Sequence, residues 1–265
     1  MRNKVILICI DGMRPDGFEK CGNPYTEELK KICSYTYNAK TVFPPETLQA
    51  HMSMIRSVTP QEHGVLTYKY VRPTCKAYGI FERIKNAKLK GGSAMFYGWE
   101  PLRDIARPNS LSYSTFIKIG SMGGENVDIL LTDEADRAIS KRMELGNPFD
   151  FVFLYLPETD EEGHCSGWMG ERYLEKISVA VDCVKRMIEK YGDEYSVILM
   201  TDHGGHELNH GQDVPEDMII PLFFYGDAFE AGKVIDGVSI MDIAPTITKI
   251  LGIDPDEYWR GSSIV

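Results

Sequence analysis

Six side chains of this sequence have the donor chemistry of a transition-metal site: Asp11, Asp160 with His164, Asp202 with His203, and His210. Imidazole nitrogen and carboxylate oxygen in one set suit zinc or a similar divalent cation. The chain has only six histidines in 265 residues, and four of them fall between 164 and 210. Any one of these donors alone is an ordinary core or rim residue, but as a set they follow apolar runs. A further group is Thr47, within Phe43-Pro44-Pro45-Glu46-Thr47-Leu48-Gln49-Ala50-His51. The prolines impose an extended approach, and Thr47 is expected to open a helix as its N-cap. A helix N-terminus also favours phosphate oxygens through its free N–H groups and dipole. A threonine hydroxyl there, activated by a cation, suits in-line attack on phosphorus.

The elements that must position these groups are legible in the apolar runs. Val5 to Ile10 stops at Asp11-Gly12, Phe151 to Leu156 stops before Pro157 and Asp160, and Ser196 to Met200 stops at Thr201-Asp202-His203-Gly204-Gly205. Such runs, rich in β-branched and aromatic residues, predict strands buried on both faces of a parallel sheet. Ligand-binding groups collect at the carboxyl ends of strands in α/β sheets, so three strands would deliver acid and imidazole to one edge. Further strands are expected at Tyr35 to Val42, Ser93 to Tyr97 and Pro221 to Tyr225. Helices are expected at Thr26–Ser34, Thr47–Ser57, Tyr78–Leu89, Asp128–Leu145, Glu171–Tyr191 and Ile240–Leu251, the last stopped by Gly252. The alternation predicts an α/β fold, a mostly parallel central sheet with helices on both faces, as a three-layer sandwich. Residues 1–265 are expected to form a single catalytic domain. The stretch from Pro108 to Asn126 is the least patterned and reads as an irregular surface loop rather than a lid.

Composition narrows the function classes. Apolar content of 43% and charged content of 26% are ordinary for a globular protein. A net charge of −10 argues against a nucleic-acid scaffold. It leaves an anionic substrate open, because bound cations can dominate a local field. The sequence contains no run of about 18 apolar residues, so no membrane span is expected. The N-terminus carries no signal-peptide pattern, and the six cysteines lack close spacing. Reduced thiols and a cytoplasmic location are the corresponding expectations.

With these residues in place, the chain resembles the alkaline phosphatase superfamily, and within it the nucleotide pyrophosphatase/phosphodiesterase branch. The matching segments are Asp11-Gly12, the Phe-Pro-x-x-Thr-x-x-x-His segment from 43 to 51, and Pro60 with His63-Gly64. They continue with Asp160-x-x-x-His164, Thr201-Asp202-His203-Gly204, His210-Gly211, and Ile243-Ala244-Pro245-Thr246. The resemblance implies two divalent ions, zinc with manganese as the alternative. Asp160, His164 and His210 would hold one, and Asp11, Asp202, His203 and the Thr47 oxygen the other. Thr47 would be the nucleophile, forming a phosphothreonine that water then hydrolyses. His206 competes with His210 for the ligand role. The Gly204-Gly205 pair reads as a tight turn that leaves His210 better placed, with His206 as a supporting or substrate-side residue. His51 and His63 are expected to pack and orient the nucleophile segment.

One departure stands out. Diesterases of this branch carry an asparagine shortly after the His-Gly pair, whereas Val65-Leu66-Thr67-Tyr68-Lys69-Tyr70 has none. Thr67 and Lys69 are the candidates to stand in. The expected activity is hydrolysis of a small phosphorylated substrate of the diester or nucleotide-pyrophosphate type. A phosphomonoesterase or phosphonate hydrolase is the alternative within the superfamily, and a non-catalytic metal-binding protein is the alternative outside it. A haloacid-dehalogenase-type phosphatase would need Asp where Met13 stands, and a sulfatase would need a Cys-x-Pro-x-Arg segment that is absent. The cofactor-independent phosphoglycerate mutases share the metal core but are longer and use serine.

Overall fold

The computed structural model describes residues 2–69, 71–120 and 124–265. In chain order the elements are β1 (Val5–Ile10), α1 (Pro15–Lys20), α2 (Tyr25–Ile32), β2 (Ser34–Lys40), α3 (Thr47–Arg56), α4 (Pro60–His63), α5 (Ile80–Asn86), β3 (Ser93–Tyr97) and β4 (Tyr113–Phe116). Then follow α6 (Val127–Glu144), β5 (Phe151–Leu156), α7 (Glu158–Ser166), α8 (Glu171–Tyr191), β6 (Ser196–Met200), α9 (Pro215–Met218), β7 (Ile219–Tyr225) and α10 (Ile243–Leu251). The strands form one sheet in the order β2-β7-β6-β1-β5-β3-β4. β1 pairs parallel with both β5 and β6, β3 pairs parallel with β5 and β4, and β7 alone runs against its neighbours.

The central strands are apolar throughout because both of their faces are covered. Val5, Leu7 and Cys9 pack with Phe151, Phe153 and Tyr155 under α3, α5 and α10, which contribute Leu48, Ile80 and Ile247. Ile6, Ile8 and Ile10 pack with Val152 and Leu154 under α1, α2, α6 and α8, which contribute Phe18, Leu29, Leu131 and Val181. The result is the expected three-layer sandwich. Burying each such large side chain contributes roughly 1.5–3 kcal/mol relative to exposure. That makes β6-β1-β5 a rigid base for whatever stands at its ends.

Those ends are level. Ile10 pairs with Leu156 and Cys9 with Met200, and Asp11 N–H donates to Leu156 O at 3.0 Å. The stretch 108–126 departs from expectation, since it supplies β4 on the sheet edge, beside β3; residues 121–123 of it lie outside the described residues. β4 has four residues with alternating partial burial, too short for its period to rise above the surrounding polar residues. All six cysteines are unpaired. Among the described residues no helix is long and apolar enough to cross a membrane.

Candidate active site

Asp11 directly follows β1 and Asp202-His203 follow β6, so the sheet register alone brings these three together. Asp160 and His164 lie one helical turn apart on α7, the short helix that β5 runs into. Sequence reading missed that helix, whose stretch is acidic and almost without apolar residues. His210 arrives from a loop. Two donor triads result, Asp160 with His164 and His210, and Asp11 with Asp202 and His203, each with ligand atoms within 4.8 Å of one another.

The imidazoles share one orientation device. Nδ1 of His203 lies 2.8 Å from Gly204 O, Nδ1 of His210 lies 2.9 Å from Pro45 O, and Nδ1 of His164 lies 2.9 Å from Leu208 O. A carbonyl can only accept, so each Nδ1 donates and each Nε2 keeps a lone pair when the ring is neutral. Those Nε2 atoms face carboxylates, His203 at 3.3 Å from Asp11 and 3.5 Å from Asp202, His164 at 3.5 Å and His210 at 3.7 Å from Asp160. The rings of His203 and His210 stack at 3.9 Å, joining the triads.

The carboxylates are the costly part of this arrangement. Asp11 Oδ1, Asp160 Oδ1 and Asp202 Oδ2 are buried without a hydrogen-bond partner. An orphaned buried acceptor costs about 1–3 kcal/mol, more when charged. Burial pushes the Asp11 carboxyl well up, helped by Asp202 and Asp160, and burial pushes Asp160 up to about 6 despite His203 and His164. At Asp202 burial is outweighed by His203 and His51, so its carboxyl is held below the usual range. At His203 burial is likewise outweighed, by Asp202 and Asp160, and its pKa is raised. Burial and the neighbouring His203 hold His210 down at about 3. Unpaired oxygens aimed at free imidazole lone pairs fit divalent cations, which relieve both the repulsion and the missing contacts.

Thr47 sits differently from expectation. Glu46, with φ −124° and ψ 142°, is the N-cap of α3, and Thr47 is the first helical residue with no capping bond. Its hydroxyl instead lies 3.1 Å from Nε2 of His203. His51 packs beneath, with Nδ1 2.7 Å from Thr47 O and 3.3 Å from Asp202 Oδ2. His63 is buried further along the segment, 3.2 Å from Ser53 Oγ, and burial lowers its pKa to about 4. His206 joins neither triad and pairs with Asp217 at 2.7 Å. Gly204 and Gly205 do not form the expected turn. They allow close approach, since a Cβ would lie 2.0 Å from Glu216 O at the first and 2.2 Å from Trp168 at the second. The reversal comes at Glu207-Leu208, closed by a bridge between His206 and Asn209. Thr67 bonds locally to Lys69, and Lys69 is exposed, its Nζ 5.8 Å from the Tyr68 ring centre. Neither lines the pocket, and Tyr70 lies outside the described residues.

Several participants are given no role by the sequence, and for aromatic residues such as Trp99 and Trp168 it leaves core and pocket equally open. Tyr155 donates a short hydrogen bond to Asp11 Oδ2. Trp168 lies under the site, its indole N–H donating to Gly12 O at 2.9 Å. Gly12 has φ +66° and faces Asp160, where a Cβ would fall 2.9 Å from Oδ1. A pocket of about 260 Å³ opens over Asp11, Thr47, Asp160 and His210, walled by Glu46, Gln49, Tyr68 and Trp99. Aromatic and glutamate residues are so common in cores and on surfaces that no spacing marks these.

A seven-stranded sandwich with acid–imidazole triads on one sheet edge is an alkaline-phosphatase-like architecture. The sequence pattern of the family described as type I phosphodiesterase / nucleotide pyrophosphatase matches residues 5–245, and the chain belongs to that family. It is similar to human ectonucleotide pyrophosphatase/phosphodiesterase family member 1, 26% identical over 218 residues, covering 75% of this chain and 23% of that protein. It also matches the 2,3-bisphosphoglycerate-independent phosphoglycerate mutase of Clostridioides difficile (strain 630), 29% identical over 137 residues, 49% of this chain and 26% of that one. Among solved structures, an inactive threonine-to-alanine variant of murine ectonucleotide pyrophosphatase/phosphodiesterase 5 in complex with AMP superposes with a TM-score of 0.81 at 14% identity. That match covers 98% of this chain and 97% of the other. The matched regions thus span about a quarter of those two sequence relatives.

Proposed function

We propose that residues 1–265 form one catalytic unit that hydrolyses phosphoric esters, diesters foremost, with Thr47 as nucleophile. Two divalent cations, zinc by donor chemistry or else manganese, would be held by Asp160, His164 and His210, and by Asp11, Asp202 and His203 with Thr47. Bound there, they would supply Lewis-acid polarisation and charge neutralisation of a phosphoryl group. The observation that carries the reading is the Thr47 hydroxyl, 3.1 Å from His203 Nε2 and released from capping, beside carboxylates with unpaired oxygens. The murine relative, inactive as a threonine-to-alanine variant and holding AMP, supports a threonine-centred site for a small phosphorylated ligand.

The chain's own groups then divide the work. Free N–H groups in the first turn of α3 draw phosphoryl oxygens toward Thr47. Its hydroxyl gives up its proton to solvent and its Oγ forms a bond to phosphorus, while the ester oxygen leaves with its electron pair and takes up a proton from solvent. Water then cleaves the phosphothreonine and restores the hydroxyl. His51 and Tyr155 hold Thr47 O, Asp202 and Asp11 in place through the contacts described.

Thr47→Ala tests this. Turnover of bis(p-nitrophenyl) phosphate should fall by at least about a thousandfold, with melting temperature close to wild type, since no capping bond is lost, and with metal still held by the three Asp/His donors of each triad. Retention of a tenth of the wild-type rate would remove Thr47 from the mechanism. A wild type that binds metal but turns over no aryl ester would favour the binding-protein alternative.

A further inference from the structure

Among the described residues, Glu46 is the one half-buried charged group in the pocket to which the hydrolysis reading gives no task. Among the described residues the carboxylate and imidazole lining consists of Asp11, Glu46, Asp160, Glu161, His164 and His210, and no lysine or arginine lines the pocket. Glu46 directly precedes Thr47 as the N-cap of α3, its side chain 39% exposed. Among the described residues no Lys or Arg pairs with it; its nearest ion-pair partner is His210 Nδ1 at 3.7 Å. That nitrogen is already directed at Pro45 O. The opposing loop makes room for the carboxylate. Gly211 has φ +105°, and a Cβ there would stand 2.3 Å from Glu46 Oε1.

A second observation marks the same place as a binding surface. Gln49, one turn along α3, is 2% exposed, lines the pocket, and its Oε1 has no hydrogen-bond partner. A buried amide oxygen without a partner calls for a donor, and a ligand in the pocket can supply it. Tyr68, Trp99 and Ile119 line the pocket as well, giving an apolar wall for a second ester group.

The charges then discriminate. Two divalent cations set against Asp11, Asp160 and Asp202 would leave a single positive charge. The Glu46 carboxylate beside the pocket would cancel that surplus, leaving the negative charge of a bound ester uncompensated. A doubly charged phosphate monoester would bring one more negative charge against it. We propose that Glu46 is a specificity-determining residue that biases the pocket toward singly charged phosphoryl groups, phosphodiesters and phosphonate monoesters, over phosphate monoester dianions. This rests on the hydrolase reading for its setting.

The test compares metal-loaded wild type with Glu46→Gln and Glu46→Asp at pH 8. Two quantities are read: the ratio of kcat/KM for p-nitrophenyl phosphate to that for bis(p-nitrophenyl) phosphate, and the calorimetric affinity for orthophosphate. Glu46→Gln should raise the ratio about tenfold and tighten orthophosphate binding by a similar factor, equivalent to about 1.4 kcal/mol. Glu46→Asp, which keeps the charge, should stay near wild type. If Glu46→Gln fails to fold, Glu46→Ser repeats the neutralisation with a residue suited to an N-cap. An unmoved ratio and affinity overturn the proposal, and so does loss of one bound ion in Glu46→Gln, which would make Glu46 a ligand. If the wild type hydrolyses neither ester, the hydrolase reading falls and orthophosphate affinity alone decides. A tenfold gain in the glutamine variant then still upholds the charge role, and no phosphate binding to any of the proteins ends it.

Discussion

His206 and His210 lie four residues apart, yet the fold gives them different partners. His210 turns Nε2 toward Asp160 and stacks on His203, whereas His206 gives Nδ1 to Asp217 in a separate pair. His210→Ala should therefore lower the bound metal toward one ion per chain and nearly silence turnover. His206→Ala should keep both ions and cost about 10–100-fold in rate, the scale of losing a supporting contact. Metal analysis of both variants decides it, and loss of an ion in His206→Ala alone would reverse the roles. The aspartates and histidines were legible in the sequence because six histidines make each one informative. Tyr155, Gln49 and Glu46 were not, because their importance comes from what faces them across the fold.

At the scale of elements, the central strands could be read directly, since burial on both faces leaves an unbroken apolar run. The short α7 and the edge strand β4 could not, having little apolar surface of their own to show a period. The helix boundary at Thr47 shifted by a single residue, and that shift frees the hydroxyl from capping. Trp168 ties α7, the 203–210 loop and the turn after β1 together. Its indole would collide with a Cβ at Gly163 or Gly205, 2.7 and 2.2 Å away, while its N–H holds Gly12 O. Trp168→Ala should destabilise the fold by about 3–5 kcal/mol through the cavity it leaves, and weaken metal affinity as α7 and the 203–210 loop loosen. Trp168→Phe should cost less, about 1 kcal/mol for the hydrogen bond, because Tyr173 OH still donates to Gly12 O. Thermal unfolding and metal titration of both variants measure this. Equal losses in the two would mean that the N–H, and not the ring, holds the loops.

At the scale of the whole molecule, the rigid β6-β1-β5 base concentrates buried negative charge at one end of the sheet. Without cations, that charge opposes folding, and the raised pKa values of Asp11 and Asp160 express it. An acid whose folded pKa lies above its unfolded value gives stability at low pH that is lost as pH rises through the folded value. For Asp160 that window runs from the ordinary 3.8 to about 6. Cations reverse the balance, because they bind the deprotonated ligands and compete with protons for them. The stabilisation by zinc should therefore be small near pH 5 and grow toward pH 8. At a hundredfold excess over Kd a single site adds about 2.7 kcal/mol, or about 5–10 °C in Tm for a chain of this size. Thermal unfolding with zinc and with chelator at the two pH values tests it, with Asp160→Asn as the variant that should lose part of the gain. A zinc-induced shift of equal size at pH 5 and pH 8 would mean that the triads are not where the metal binds, and that their buried carboxylates carry a cost the fold meets in some other way.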